Sequence, residues 1–100
     1  MKERILIADD TAINRELLSS VLGDRYEYLY AQNGMQAVEM LGEDARVDII
    51  LLDINMPEMG GFEVLEIMRE RRWLEEIPVI VISAEHDASF IHRAYELGAT

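Results

Sequence analysis

Acidic residues follow two aliphatic runs of the sequence, and their types and positions suggest metal-dependent chemistry. Asp9 and Asp10 follow the first run, and Asp53 ends a later, more apolar one. Three carboxylates brought close together raise one another's proton affinity unless a cation offsets the repulsion. A hard divalent ion that prefers oxygen ligands and keeps some of its water, such as Mg²⁺, is the natural partner. With such an ion bound, one carboxylate could stay ionised and attack an electrophile.

Each of these residues also has an ordinary structural explanation. Acids are common where a strand meets a helix, so one member of the Asp9-Asp10 pair could be an N-cap. Asp53 could cap a helix or hydrogen-bond within a turn. Ser83 follows another aliphatic run and is uninformative alone, because serine is a frequent helix cap. The arrangement of these positions at matching strand ends is what favours a functional site.

Four short aliphatic runs alternate with four longer segments of helical spacing. The runs predict strands over residues 4–8, 26–31, 47–52 and 77–82, and the longer segments predict helices over residues 12–22, 34–43, 62–71 and 87–97. In the first helix the apolar side chains form one stripe, which consists of Ile13, Leu17, Leu18, Val21 and Leu22. The Leu97-Gly98-Ala99 segment indicates a helix that ends at glycine.

Continuous apolar strands joined by helical crossovers should be parallel and covered on both faces. We therefore expect an α/β fold, a doubly wound parallel sheet of the flavodoxin-like kind with strand order 2-1-3-4. In that order the first and third strands are neighbours, and ligands gather at the carboxyl ends of such strands. Asp9, Asp10 and Asp53 should then lie close together.

The composition limits the classes of protein that the chain can belong to. Its 100 residues fit one domain, residues 1–100, and 20 acidic against 9 basic residues give a net charge of −11. Such a surface repels a phosphate backbone, so we expect no direct contact with nucleic acid. No apolar run approaches the roughly 18 residues of a membrane span. The absence of cysteine is compatible with a reducing cytosol, and we expect a cytoplasmic location.

Four segments, read in order, resemble the receiver domains of bacterial two-component response regulators, which are CheY-like. They are Asp9-Asp10, the run DINMPEMGG that begins at Asp53, the run PVIVISA that begins at Pro78, and Leu97-Gly98-Ala99. The resemblance covers nearly the whole chain. It implies a domain that takes a phosphoryl group from a sensor histidine kinase with the help of Mg²⁺, as a substrate and switch more than a turnover enzyme.

The resemblance also implies a role for each matching residue of a metal site. Asp53 matches the phosphoacceptor, Asp10 the acid that binds Mg²⁺ directly, and Asp9 the acid that acts largely through metal-bound water. Asn55 matches the residue whose backbone carbonyl completes the metal shell. Met56 and Met59, in the same segment, are interpreted as packing residues.

A second set of matches concerns the phosphoryl group. Ser83 matches the hydroxyl that moves toward the phosphoryl group, and Ala84 matches the small residue whose backbone N–H lies beside it. The family pattern continues with a lysine about five residues past Thr100, in a fifth strand followed by a fifth helix. Relative to that pattern we expect the chain to be truncated, with the fifth βα unit missing and its activity doubtful.

Without a fifth unit, the fourth strand would be an apolar edge and one face of the sheet would be uncovered. We therefore expect a homodimer or a swapped oligomer that forms through the fourth strand and the exposed sheet face.

Two other functions stay open at this point. A degenerate receiver could act only as a protein–protein or dimerisation module, without phosphorylation. A Mg²⁺-dependent hydrolase is a third class, but such enzymes typically carry a second acid two residues after the nucleophile, where this chain has Asn55. No phosphate-binding loop or zinc-binding helix motif is present. His86 and His92 are interpreted as surface residues, not a metal pair.

Overall fold

The chain is described by a computed structural model that covers residues 2–43, 46–82 and 88–99. The strands are β1 (Glu3–Ala8), β2 (Tyr26–Ala31), β3 (Ile49–Asp53) and β4 (Val79–Ile82). The helices are α1 (Ala12–Leu22), α2 (Gly34–Gly42), α3 (Gly61–Glu70) and α4 (Ala88–Glu96), and a 3₁₀ turn spans Trp73–Glu75.

The four strands form one parallel sheet in the order β2-β1-β3-β4, which confirms the predicted topology. Ala8 of β1 pairs with Ala31 on one side and with Leu52 on the other, so the carboxyl ends of three strands are level. The predicted starts of the third and fourth strands were two residues early. β4 begins after Pro78, whose nitrogen has no hydrogen to donate to a ladder, although its carbonyl accepts the N–H of Ile50.

The helices cover the two faces of the sheet unequally. The larger core cluster combines β-strand residues such as Leu6 and Ile50 with Val64 and Leu65 of α3 and Ala94 of α4. On the other face, the buried set is limited to Ile5, Ile7 and Leu51, with Leu18 of α1 packed against it. The thick side of the core therefore lies under α2, α3 and α4.

Helix α1 has the predicted bounds, but most of its apolar stripe lies in solvent. Ile13, Leu17 and Val21 are 74%, 58% and 76% exposed, and only Leu18 contacts the small cluster. A cleft of about 490 Å³ opens beside α1 over the same face of the sheet, and its lining includes Ile5, which lies at the cleft floor. Within the described part of the chain, α1 is the only helix that packs over this face, and it leaves the cleft open.

The segment between β3 and α3 is attached closely to the start of α2. The Gly34 N–H donates to the Met59 carbonyl at 3.0 Å, and the preceding Asn33 caps α2 by accepting the Gln36 N–H. Within the segment, Glu58 has a φ of 67°, a left-handed conformation that costs energy in residues with a Cβ. The turn that contains Pro57 and the following glycines therefore has its strained position at Glu58.

Helix α4 ends as the sequence predicts. Gly98 has a φ of 110°, the Gly98 N–H donates to Tyr95 and the Ala99 N–H donates to Ala94. This pair of bonds is the Schellman arrangement, which satisfies the last carbonyls of a helix and favours glycine at the left-handed position.

No helix among the described residues is long and apolar enough to cross a membrane.

We predict that Gly34→Ala destabilises the fold by about 2 kcal/mol, as overpacking typically does. A Cβ at Gly34 would collide with the Met59 carbonyl oxygen and lie 2.8 Å from Val64 Cγ2. The matched control is Gly42→Ala, where the nearest atoms are 3.9 Å away; it should be neutral or stabilise by up to about 1 kcal/mol. Urea unfolding of both variants measures the difference, and equal stabilities would contradict the tight contact.

Candidate functional site

The three acids singled out in the sequence lie together at the carboxyl edge of the sheet. Asp9 and Asp10 follow β1, and Asp53 is the last residue of β3, the strand that pairs with β1. One carboxylate oxygen from each residue lies within 4.8 Å of the other two. The parallel register of adjacent strands thus produces the predicted cluster.

Asp9 is held by bonds from all of its polar groups. Its N–H donates to the Ala31 carbonyl at 3.1 Å, its carboxylate accepts the Thr11 N–H at 2.9 Å, and its carbonyl accepts Arg15 Nη1 at 2.6 Å. The Asp9 residue is only 3% exposed, whereas Asp10 is exposed to solvent. The pair therefore combines a fixed, buried acid with an accessible one.

The N-cap explanation for the Asp9-Asp10 pair does not hold. The N-cap of α1 is Thr11, and no side chain caps this helix. Asp9 hydrogen-bonds within the turn before the helix, and this contact leaves its second carboxylate oxygen available. Neither acid serves as the N-cap.

Asp53 owes its position to the close approach of α3. The Asn55 N–H donates to Asp53 Oδ1 at 3.3 Å, and the Gly61 N–H donates to the Ile54 carbonyl at 2.9 Å. A Cβ at Gly61 would lie 2.5 Å from the Asp53 carbonyl oxygen. Glycine at the first position of α3 therefore allows the helix to start directly beside the end of β3.

The electrostatics of Asp53 reflect its surroundings. The pKa of Asp53 is raised to about 6, mainly by partial burial and also by the nearby negative charges of Asp9 and Asp10, against the lowering effect of the Asn55 and Ile54 N–H groups. Both raising effects disfavour the ionised carboxylate. A bound divalent cation would reverse this balance, so the oxygen-only donor set fits a hard ion.

Other residues singled out in the sequence have simpler positions. Met56 is buried in the core and Met59 packs against it, which agrees with a packing role. His92 is exposed and lies 2.9 Å from Glu96, as expected of a surface residue. Ser83 and Ala84 lie outside the described residues, and so does His86.

Sequence reasoning missed Arg15, whose side chain reaches back to the loop that carries Asp9. Its position six residues after Asp9, in the first turns of α1, was the available signal. A charged residue there is also common on exposed helix faces, so its type and spacing alone did not distinguish it.

The fold and the acidic site together define a class of protein. It is a doubly wound α/β domain with a carboxylate site between β1 and β3, where the strand order reverses. The match to the family model named response regulator receiver domain covers residues 5–100. The chain belongs to this family.

Individual relatives agree with the family match. A protein named two-component response regulator ORR5, from rice, is 35% identical over 96 residues, which make up 95% of this chain and 72% of the relative. The crystal structure of the phosphorylated cyanobacterial phytochrome response regulator RcpA has a TM-score of 0.91 at 28% identity, over 100% of this chain and 78% of that one. The chemotaxis protein CheY4 of Vibrio cholerae has a TM-score of 0.88 at 30% identity, with 100% and 83% covered.

We predict that the ionisation of Asp53 destabilises the metal-free fold. Because the folded-state pKa of about 6 lies above the ordinary value of 3.8 for an aspartate, the native state holds this proton more tightly. The stabilisation that comes from the protonated Asp53 is complete below about pH 4 and is lost as the pH rises through about 6. Asp53→Asn keeps an acceptor for the Asn55 N–H and removes the charge, so it should stabilise the fold by about 1 kcal/mol at neutral pH, after allowance for partial exposure.

Thermal unfolding in the presence of a chelator at pH 4 and at pH 7.5 measures this difference. The gain from Asp53→Asn should be present at pH 7.5 and absent at pH 4. A gain of the same size at both pH values would contradict the assignment to the Asp53 charge.

Proposed function

We propose that the chain accepts a phosphoryl group on Asp53 from the phosphohistidine of a sensor histidine kinase, in a reaction that depends on Mg²⁺. The observation that carries the proposal is the set of three carboxylate oxygens within 4.8 Å at the strand ends, in a chain that belongs to the receiver family. Two similar proteins have names that include the words response regulator, and one of them is described as phosphorylated.

The donor set supports Mg²⁺ as the ion. Asp9, Asp10 and Asp53 would supply carboxylate oxygens, and the Asn55 backbone would supply a carbonyl oxygen, all of them hard ligands. When bound, the ion would neutralise negative charge on the acids and on the transferring phosphoryl group. The burial of Asp9 and the exposure of Asp10 are consistent with one acid that fixes the site and another that faces the incoming ion.

The proposed reaction is a single displacement at phosphorus. An oxygen of the Asp53 carboxylate attacks the phosphorus of the phosphohistidine, so an O–P bond forms as the P–N bond breaks. The electron pair of the broken bond goes to the imidazole nitrogen, and the products are an acyl phosphate on Asp53 and a free histidine on the kinase. With a pKa of about 6, Asp53 is mostly ionised at neutral pH and available as the nucleophile.

Ser83 and Ala84 would contact the phosphoryl group. The Ser83 hydroxyl would donate to a phosphoryl oxygen, and the Ala84 backbone N–H would donate beside it. Donors of this kind stabilise the charge on a transferring phosphoryl group. Because the reaction modifies the chain itself, we propose that the chain acts as a switch more than as a turnover enzyme, and that it does so in the cytoplasm.

We predict that the folded chain gains the mass of one phosphoryl group when it is incubated with Mg²⁺ and a small-molecule phosphodonor such as acetyl phosphate. Asp53→Asn should abolish the gain, because the amide is not a nucleophile of this kind. The matched control, Asp24→Asn, removes a carboxylate from the turn before β2, at the opposite end of the strands, and should gain the same mass as the original sequence. Intact-mass spectrometry measures all three.

A folded sample that takes up no phosphoryl group, from the small donor or from a phosphorylated kinase, would contradict the proposal. That result would favour the alternative of a receiver used only for protein–protein binding.

The outer strand of the sheet supports a second proposal, that the 100-residue chain forms homodimers or swapped oligomers through β4 and the sheet face that α1 covers only in part. Among the described strands, β4 pairs only with β3, so one row of its backbone groups has no strand partner. Ile80 of β4 is 42% exposed and lines the cleft beside α1. An apolar edge of this kind is a template for pairing with another chain.

We predict that the chain sediments as a dimer or larger species at high micromolar concentration, and that Ile80→Lys shifts it to monomer by placing a charge on the edge strand. The control, Met35→Lys, changes a side chain of α2 that is 46% exposed, on an element that packs mainly against β1, β2 and α3, and should leave the association unchanged. Sedimentation velocity separates these outcomes. A monomeric original chain would contradict the proposal.

A further inference from the structure

We infer that Arg15 is a positioning residue for the metal site and acts through the backbone of Asp9; the inference rests on the Mg²⁺ site proposed above. The Arg15 guanidinium donates to the Asp9 carbonyl at 2.6 Å. Ala8 is the last residue of β1 that pairs with the neighbouring strands. The Asp9 carbonyl lies one residue beyond it, so strand pairing does not hold this carbonyl in place. The contact with Arg15 takes the place of a ladder bond at that point.

The Arg15 contact completes the immobilisation of the loop between β1 and α1. The Asp9 N–H is bound to β2 through Ala31, and the Asp9 carboxylate is bound to the Thr11 N–H at 2.9 Å. The Arg15 guanidinium adds a hydrogen bond from α1, so the end of β1, the loop and α1 are all connected through Asp9. Rotation of the Asp9 peptide would break this bond and change the direction in which the following residue, Asp10, leaves the strand.

The surroundings of Arg15 distinguish it from a solvated surface charge. Arg15 is half-buried, whereas Asn14 and Glu16 on either side of it are exposed. Its backbone also begins the helix, since the Arg15 N–H donates to the Thr11 carbonyl at 3.1 Å. The residue therefore has both its main chain and its side chain bonded to the loop that carries the acids.

Groups that orient metal ligands without touching the ion matter for affinity, and their loss typically weakens metal binding about 10–100-fold. Arg15→Met keeps the aliphatic stem of the side chain and removes every donor. We expect it to weaken Mg²⁺ binding about tenfold. Arg15→Lys keeps a cationic donor and should recover most of that loss.

The test compares Mg²⁺ affinity by isothermal titration calorimetry for the original chain, Arg15→Met, Arg15→Lys and the control Arg69→Met. Arg69 is an exposed residue in the last turn of α3, so its substitution makes the same change in charge away from the site and should leave the affinity unchanged. Affinity of Arg15→Met within twofold of the original chain would overturn the inference.

Amide hydrogen exchange by NMR, without metal, separates positioning from a general weakening of α1. Arg15→Met should speed exchange at Asp9 and Thr11 and leave the Gly23 N–H, which donates to Ser19 at the end of α1, at its original rate. Equal acceleration at Gly23 would mean that the whole helix is weakened and would overturn the inference. A folded original chain that binds no Mg²⁺ contradicts the proposed function itself, whereas binding that Arg15→Met leaves unchanged contradicts only the role of Arg15.

Discussion

The mutual repulsion of the three carboxylates at the carboxyl edge of the sheet must be offset by the contacts around them. The parallel pairing of β1 with β3 brings Asp9, Asp10 and Asp53 to one edge of the sheet, and burial makes the ionised form of Asp53 less favourable still. A fold that keeps such a cluster must hold its backbone firmly, because the acids would otherwise move apart. The surrounding contacts do this, and they leave a cation as the natural complement of the charge.

Those surrounding contacts come from each element that reaches the edge. Gly61 lets α3 begin against the carbonyl of Asp53, Gly34 joins α2 to the Met59 carbonyl of the following segment, and Arg15 joins α1 to Asp9. The loops that carry the acids are therefore connected to three helices, of which α2 and α3 also pack against each other. A change at the metal site could reach α1, α2 and α3 through these single bonds, which is the kind of coupling that a switch requires.

The sequence was sufficient to predict the fold class and the residues of the acidic cluster, because both follow from local patterns. The strand order that brings these acids together belongs to the doubly wound architecture and not to a local pattern. Strands 26–31 and helix 12–22 have the predicted bounds, since aliphatic runs and helical spacing are read over short windows. The contacts that hold the site were not predictable in this way. Arg15 bonding to Asp9 and the left-handed Glu58 depend on the paths of the backbone, and the exposure of Ile13 depends on which elements pack over α1.

We propose that the Asp9, Asp10 and Asp53 carboxylates together bind a divalent cation. A crystal of the chain soaked with Mn²⁺ is the most direct test of this site. Mn²⁺ takes the same oxygen ligands as Mg²⁺ and scatters anomalously, so its position does not depend on interpretation of water peaks. We expect one strong anomalous peak in contact with the Asp53 and Asp10 carboxylates, at the carboxyl ends of β1 and β3. A map in which the three acids lie together in this arrangement, with no peak among them, would contradict the proposed metal site.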